Sequence, residues 1–152
     1  MKSIEKKVKS IQERLKRIRR LARDIDSFDD YQASPDKKDI AERNLQVAIE
    51  SCLDIAKIII SIKNLPEPKD NKGIFMVLAE AKIISEKSLN FLVPMAGTRN
   101  ILVHGYDKVD DRLIYGIITR HLNDFKIFLK EIKLNYLDKI PNDSSDKLDK
   151  KP

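Results

Sequence analysis

The chain has 152 residues, with 30 Lys+Arg against 24 Asp+Glu for a formal net charge of +6. A hydrophobic content of 41% is enough for one packed core of ordinary domain size and excludes a wholly disordered chain. Four glycines, no tryptophan and 6% aromatic residues, alongside abundant Lys, Glu, Ile and Leu, favour helices over sandwiches, barrels or solenoids. The single cysteine, Cys52, cannot form an internal disulfide. The start of the chain has no apolar run of signal-peptide length, and no stretch approaches the roughly 20 apolar residues of a membrane span. The expectation is a soluble cytoplasmic protein without membrane association.

The charge is concentrated at one end. Residues 1–26 hold ten basic and four acidic side chains, while the remainder of the chain carries twenty of each. Within that opening segment Ile4, Val8, Ile11, Leu15, Ile18, Ala22 and Ile25 recur at steps of three and four, which predicts one long amphipathic helix. Ten cations on its outer side admit three readings: a solvated face, a surface that steers RNA, or a docking face for an acidic partner.

The segment SFDDYQASP, 27–35, interrupts the pattern with turn formers. Ser34-Pro35 then reads as an N-cap followed by proline at the first helical position. A second long helix is expected to about Lys63, with Ile40, Leu45, Val47, Ala48, Cys52, Ile55, Ala56 and Ile59 as its apolar face. Pro66 and Pro68 end it. Ile74–Ile84 is expected as a short buried helix, Ser85–Val93 as another, and Pro94 as the start of a further helix that Gly105 stops. Asp110-Asp111 caps a last helix to about Leu137, with Leu113, Ile117, Leu122, Phe125, Phe128, Leu129 and Ile132 facing the core. The tail, residues 141–152, is polar with one apolar side chain and is expected to be disordered. The fold class is all-α: an antiparallel bundle of four main helices plus a short helix, in one domain over residues 1–140.

Most catalytic signatures are missing. Four scattered glycines make no phosphate loop, and two histidines with one cysteine make a metal site improbable, so neither metal nor cofactor is expected. Cys52 has core neighbours and reads as a packed thiol, and His121 as a surface or core-edge residue. The informative stretch is TRNILVHGYD, 98–107. On a helix Asn100 and His104 share a face, and Arg99 lies about 140° from His104. Gly105 would let the backbone turn there and place His104 in the last helical turn. An imidazole that titrates near neutrality beside a guanidinium suits cleavage of a phosphodiester by general acid and base. A histidine at that position is also a common capping or dipole partner, so the residues alone leave both readings open.

The string MAGTRNILVHGYD, 95–107, with Arg99, four residues, His104, one residue and Tyr106, resembles the signature of the HepT-type toxins of the HEPN superfamily, in which a polar residue follows the arginine, here Asn100. Residues 41–56 look like that family's second helix and residues 110–137 like its last. The resemblance implies a metal-independent endoribonuclease that acts as a homodimer, is paired with a nucleotidyltransferase antitoxin, and takes RNA (tRNA or mRNA) as substrate. It further implies Arg99 and His104 as catalytic residues, Asn100 as a supporting one, and Tyr106 as the position that the antitoxin modifies with AMP. The competing expectation is a non-catalytic helical module that binds nucleotide, RNA or a partner protein.

Overall fold

The computed structural model describes residues 2–140, apart from the side chain of Tyr106; the tail expected to be disordered lies outside the described residues. The described chain is all helix and turn. α1 (Lys2–Arg23), the short α2 (Phe28–Gln32), α3 (Pro35–Ile62), α4 (Asn71–Glu80), α5 (Glu86–His104), α6 (Asp111–Arg120) and α7 (Leu122–Asn135) follow one another, with 3-10 turns at Tyr106–Lys108 and Leu137–Lys139.

The expected stripe of α1 is buried at Ile4, Ile11, Leu15 and Ile18, with Leu21 turned inward in place of Ala22. It lies antiparallel against α3. Lys7 pairs with Asp54 at 3.1 Å and, further along, the Arg14 guanidinium donates to Asn44 Oδ1 at 3.2 Å. α3 begins as its sequence dictates, with Ser34 Oγ accepting from the Lys37 backbone N–H and Pro35 in the first turn. It buries Ala41, Leu45, Ala48, Cys52, Ile55, Ala56 and Ile59. Burial pushes the Cys52 thiol far above its ordinary pKa, which suits a packed side chain and not a nucleophile. Ile40, expected on that core face, is exposed.

Four boundaries differ from the sequence expectation, and each has a local cause. The 27–35 segment contains α2, capped by Ser27 Oγ on the Asp30 N–H, because Tyr31 drops into the core against Tyr115. α4 starts earlier than expected, with Asp70 capping the Gly73 N–H at 2.8 Å, and ends earlier as well. At its end Lys82 takes a left-handed conformation (φ 60°), so that Ile83 N–H bonds the Leu78 carbonyl and Ile83 and Ile84 turn into the core. The two helices expected on either side of Pro94 are one helix, α5: Ser85 caps it, Pro94 lies within it, and Leu92, Met95 and Ala96 are buried around the proline. The last helix is broken at His121 (φ −120°, ψ 9°), because α6 packs on α1, α2 and α3 while α7 packs on α5.

α5 and α7 also run antiparallel. Ser88 Oγ donates to Glu131 at 2.5 Å, and Phe91 meets Phe125 edge to face at 5.0 Å. α4 joins them through Phe75, edge to face on Phe128. The four-helix core is therefore α1, α3, α5 and the broken α6–α7 pair, with α4 as the accessory short helix. His121 is exposed as expected, its ring stacked beside Phe91 and its Nδ1 3.0 Å from Asp124. No helix among the described residues is long and apolar enough to cross a membrane.

Candidate active site at the end of α5

The C-terminal turns of α5 carry three of the four residues singled out from the sequence. Because the helix runs unbroken to His104, Asn100 and His104 lie one turn apart on one side, and Arg99 begins about 7.5 Å along the axis from His104. The run of buried residues in α5 ends at Thr98, whose hydroxyl donates to the Pro94 carbonyl at 3.1 Å. Beyond it Asn100 and His104 are exposed, and Ile101 between them is 39% exposed.

Arg99 is held from two sides. Its Nη1 donates to Asn100 Oδ1 at 3.2 Å, and its Nη2 lies 3.8 Å from Glu50 Oε2, an ion pair without a hydrogen bond. Its Nε is buried and has no hydrogen-bond partner. Glu50 is itself anchored, because Gln46 Nε2, one turn earlier on α3, donates to Glu50 Oε1 at 2.7 Å. The result is a chain of polar contacts from α3 to the end of α5: Gln46, Glu50, Arg99, Asn100. His104 makes no hydrogen bond or ion pair among the described residues and faces solvent, free to meet an incoming group. The Arg99 side chain is partly exposed, and a guanidinium, with five N–H donors in a fixed fork, is suited to phosphate oxygens.

Gly105 ends α5, but not by the left-handed turn that glycine usually supplies there. Its φ is −98°, and a Cβ at that position would sit 3.0 Å from the Ile101 carbonyl oxygen and 3.1 Å from the Ile101 side chain. The requirement is for close approach of backbone to Ile101. Tyr106 opens the following 3-10 turn, two residues beyond His104; its side chain lies outside the described part of the structure. Among the described residues no group of three or more His, Cys, Asp or Glu side chains is placed to hold a metal ion.

Glu50 and Gln46 were not singled out from the sequence. The signal available was a carboxylate at position 50 between buried Ile49 and buried Ser51, with a glutamine four residues earlier, in a helix otherwise given over to packing. Which cation that carboxylate meets is a tertiary fact, 49 positions away in the chain.

The structure is thus an all-α helical bundle with Arg99 and His104 in the last turns of one helix and Tyr106 just after it. The chain belongs to the Ribonuclease HepT-like family, whose profile matches residues 11–132. It is 31% identical over 128 residues to the mRNA nuclease HepT of Shewanella oneidensis, covering 84% of this chain and 93% of that protein. It is 29% identical over 106 residues to the tRNA nuclease HepT of Aphanizomenon flos-aquae, covering 70% and 72%. The tri-AMPylated Shewanella oneidensis HEPN toxin, solved in complex with an MNT antitoxin, superposes with a TM-score of 0.81 at 29% identity over 88% of this chain and 98% of that one.

Proposed function

We propose that this chain is the toxin ribonuclease of a toxin-antitoxin pair, that it cleaves RNA without a metal, and that Arg99 and His104 carry the reaction. The observation that supports this reading is the guanidinium of Arg99, lying between Glu50 and Asn100, on the same helix end as the exposed and unpartnered imidazole of His104. In the reaction the 2′-oxygen of the RNA attacks the adjacent phosphorus while the bond from phosphorus to the 5′-oxygen breaks. One base takes the 2′-hydroxyl proton and one acid supplies a proton to the leaving 5′-oxygen, so the products are a 2′,3′-cyclic phosphate and a 5′-hydroxyl. Arg99 balances the charge that builds on the non-bridging oxygens, and Asn100 orients Arg99 through its side-chain carbonyl.

One chain offers a single imidazole at this site, whereas the reaction uses a base and an acid. A two-fold homodimer with both α5 ends facing one cleft supplies the second His104. Ile101, exposed between Asn100 and His104, gives that face an apolar contact of its own. Control of the toxin follows from chemistry at Tyr106: its phenol oxygen attacks the α-phosphorus of ATP, held by a nucleotidyltransferase antitoxin, and pyrophosphate leaves. The AMP so attached, one or more units, adds bulk and negative charge beside His104, where the RNA phosphate would bind. The reaction belongs in the cytoplasm, where both ATP and RNA are present.

The test is cleavage of tRNA and of an mRNA by purified chain in excess EDTA, with the product ends mapped. Cyclic phosphate ends and their loss in His104→Ala are expected. RNA binding without cleavage, or equal cleavage by His104→Ala, overturns the assignment. Intact mass after co-expression with the antitoxin, with and without Tyr106→Phe, checks the modification separately.

A further inference from the structure

The charge that is concentrated at the start of the sequence lies beside a groove that the site at α5 does not use. The groove, about 1050 Å³, runs between α1 and α7 and is also lined by Leu137, Asp138 and Ile140; none of its lining belongs to α3 or α5. α1 lines it from Glu5 to Arg23, about 27 Å at 1.5 Å per residue. Along this wall stand Lys9, Lys16, Arg19, Arg20 and Arg23. The opposite wall carries Lys126, Lys130 and Lys133. Only Glu5 and Asp138 oppose them, and Asp138 is already bonded to Lys133 at 3.1 Å. The other seven cations have no carboxylate partner among the described residues. Between the two basic walls the floor is aliphatic, with half-buried Val8, Leu129 and Leu137 continuous with the core.

This combination separates the occupants. A solvated charged face needs no apolar floor. Single-stranded RNA gains its non-electrostatic affinity by stacking bases on aromatic rings, and no aromatic or histidine side chain lines the groove. A second copy presenting the same groove across a two-fold axis would set seven unpaired cations against seven. An amphipathic helix satisfies both features at once: its aliphatic stripe covers the floor and carboxylates on its flanks meet the two walls. We propose that the groove between α1 and α7 is a docking site for an acidic amphipathic helix of a partner protein. The site stands apart from Arg99 and His104 and does not depend on the ribonuclease reading.

The test uses the full chain and three probes of similar length: a helical peptide with leucines at helical spacing and glutamates elsewhere, polyglutamate, and oligouridylate RNA. Fluorescence anisotropy is expected to show the leucine–glutamate peptide binding at least about tenfold more tightly than polyglutamate, a difference of about 1.4 kcal/mol. The double substitution Lys16→Glu with Lys130→Glu, with circular dichroism checking the fold, is expected to weaken that peptide by about tenfold or more. Equal binding of polyglutamate would reduce the groove to a charge effect and overturn the proposal. Tighter binding of oligouridylate that the same double substitution removes would make it an RNA surface instead. A tenfold gain in peptide affinity from Leu148→Asp would show that the chain's own C-terminal segment fills the groove, and unsaturable binding of all three probes would mean that nothing docks there.

Discussion

α1 and α5 are of similar length and lie in the same bundle, yet they are built on opposite principles. α1 has a regular stripe, one buried face and a charged outer face, and its departures from helical propensity are few. α5 has a proline in its middle and a glycine one turn later; its buried side chains run from Ser88 to Thr98, and its last turns, which bury none, carry Arg99, Asn100 and His104. Regularity accompanies scaffolding, because a helix that only packs is free to satisfy every local rule. Irregularity accompanies the site, because a helix that must present polar groups at one end gives up part of its packing there.

The contrast predicts that the two helices fail differently. His104→Ala removes a solvent-facing side chain with no partner among the described residues, so the thermal transition should stay within about 0.5 kcal/mol of the parent. RNA cleavage should nonetheless fall by roughly 10²–10⁴-fold, the range for loss of a general acid or base. Ile18→Ala in α1 reverses the pattern. Ile18 is fully buried, and its truncation is expected to cost about 2–5 kcal/mol in urea denaturation, while cleavage per folded molecule holds. If His104→Ala unfolded the chain as readily as Ile18→Ala, the division between a packing helix and a presenting helix would be wrong.

The same division governs what could be read in the sequence. The α1 stripe was legible because burial there follows a 3.6-residue period, and the caps Ser34 and Asp110 were legible because capping is local chemistry. The end of α5 was legible as a motif for its composition and its family resemblance, not for any periodicity. What escaped was set by partners distant in sequence. Pro94 looked like a helix start, yet the buried neighbours Leu92, Met95 and Ala96 carry α5 through it. His121 carries no breaker signal, and the break there comes from α6 and α7 packing on different helices. Ile40 and Leu113 fit the apolar patterns of their helices but are exposed, because a pattern gives a face and not what covers it. Glu50 escaped for the same reason, since only the approach of α3 to α5 makes it a partner of Arg99.

Glu50 sharpens the comparison, since it belongs to the scaffold yet touches the site. Its ion pair with Arg99 is partly exposed, 26% on the arginine and 36% on the glutamate, so Glu50→Gln should change stability by less than about 1 kcal/mol. As a positioning residue it should matter more to cleavage, about tenfold in kcat with KM little changed, because the guanidinium loses the carboxylate that sets its angle while the RNA-binding surface keeps its charge. Glu50→Asp, with the carboxylate retained on a shorter stem, should recover part of that loss. A Glu50→Gln variant with parental kcat would leave the Gln46–Glu50–Arg99 chain as structure only.

The smallest expected effect lies at Gly97, two residues before Arg99. A glycine inside a helix costs about 0.5–1 kcal/mol relative to alanine, and a Cβ built here meets nothing within 4 Å. Within this chain nothing explains the glycine, so Gly97→Ala should raise the stability of the dilute monomer by about that amount. A helix that keeps a destabilising glycine two residues before Arg99, with open space above it, fits a surface where another backbone must come close. The same substitution should therefore weaken dimerisation or RNA binding while it strengthens the fold, and sedimentation and anisotropy on Gly97→Ala separate those two. Were Gly97→Ala more stable and equally active and dimeric, the glycine would carry no role at the site, and the irregularity of α5 would reduce to Pro94 and its polar end.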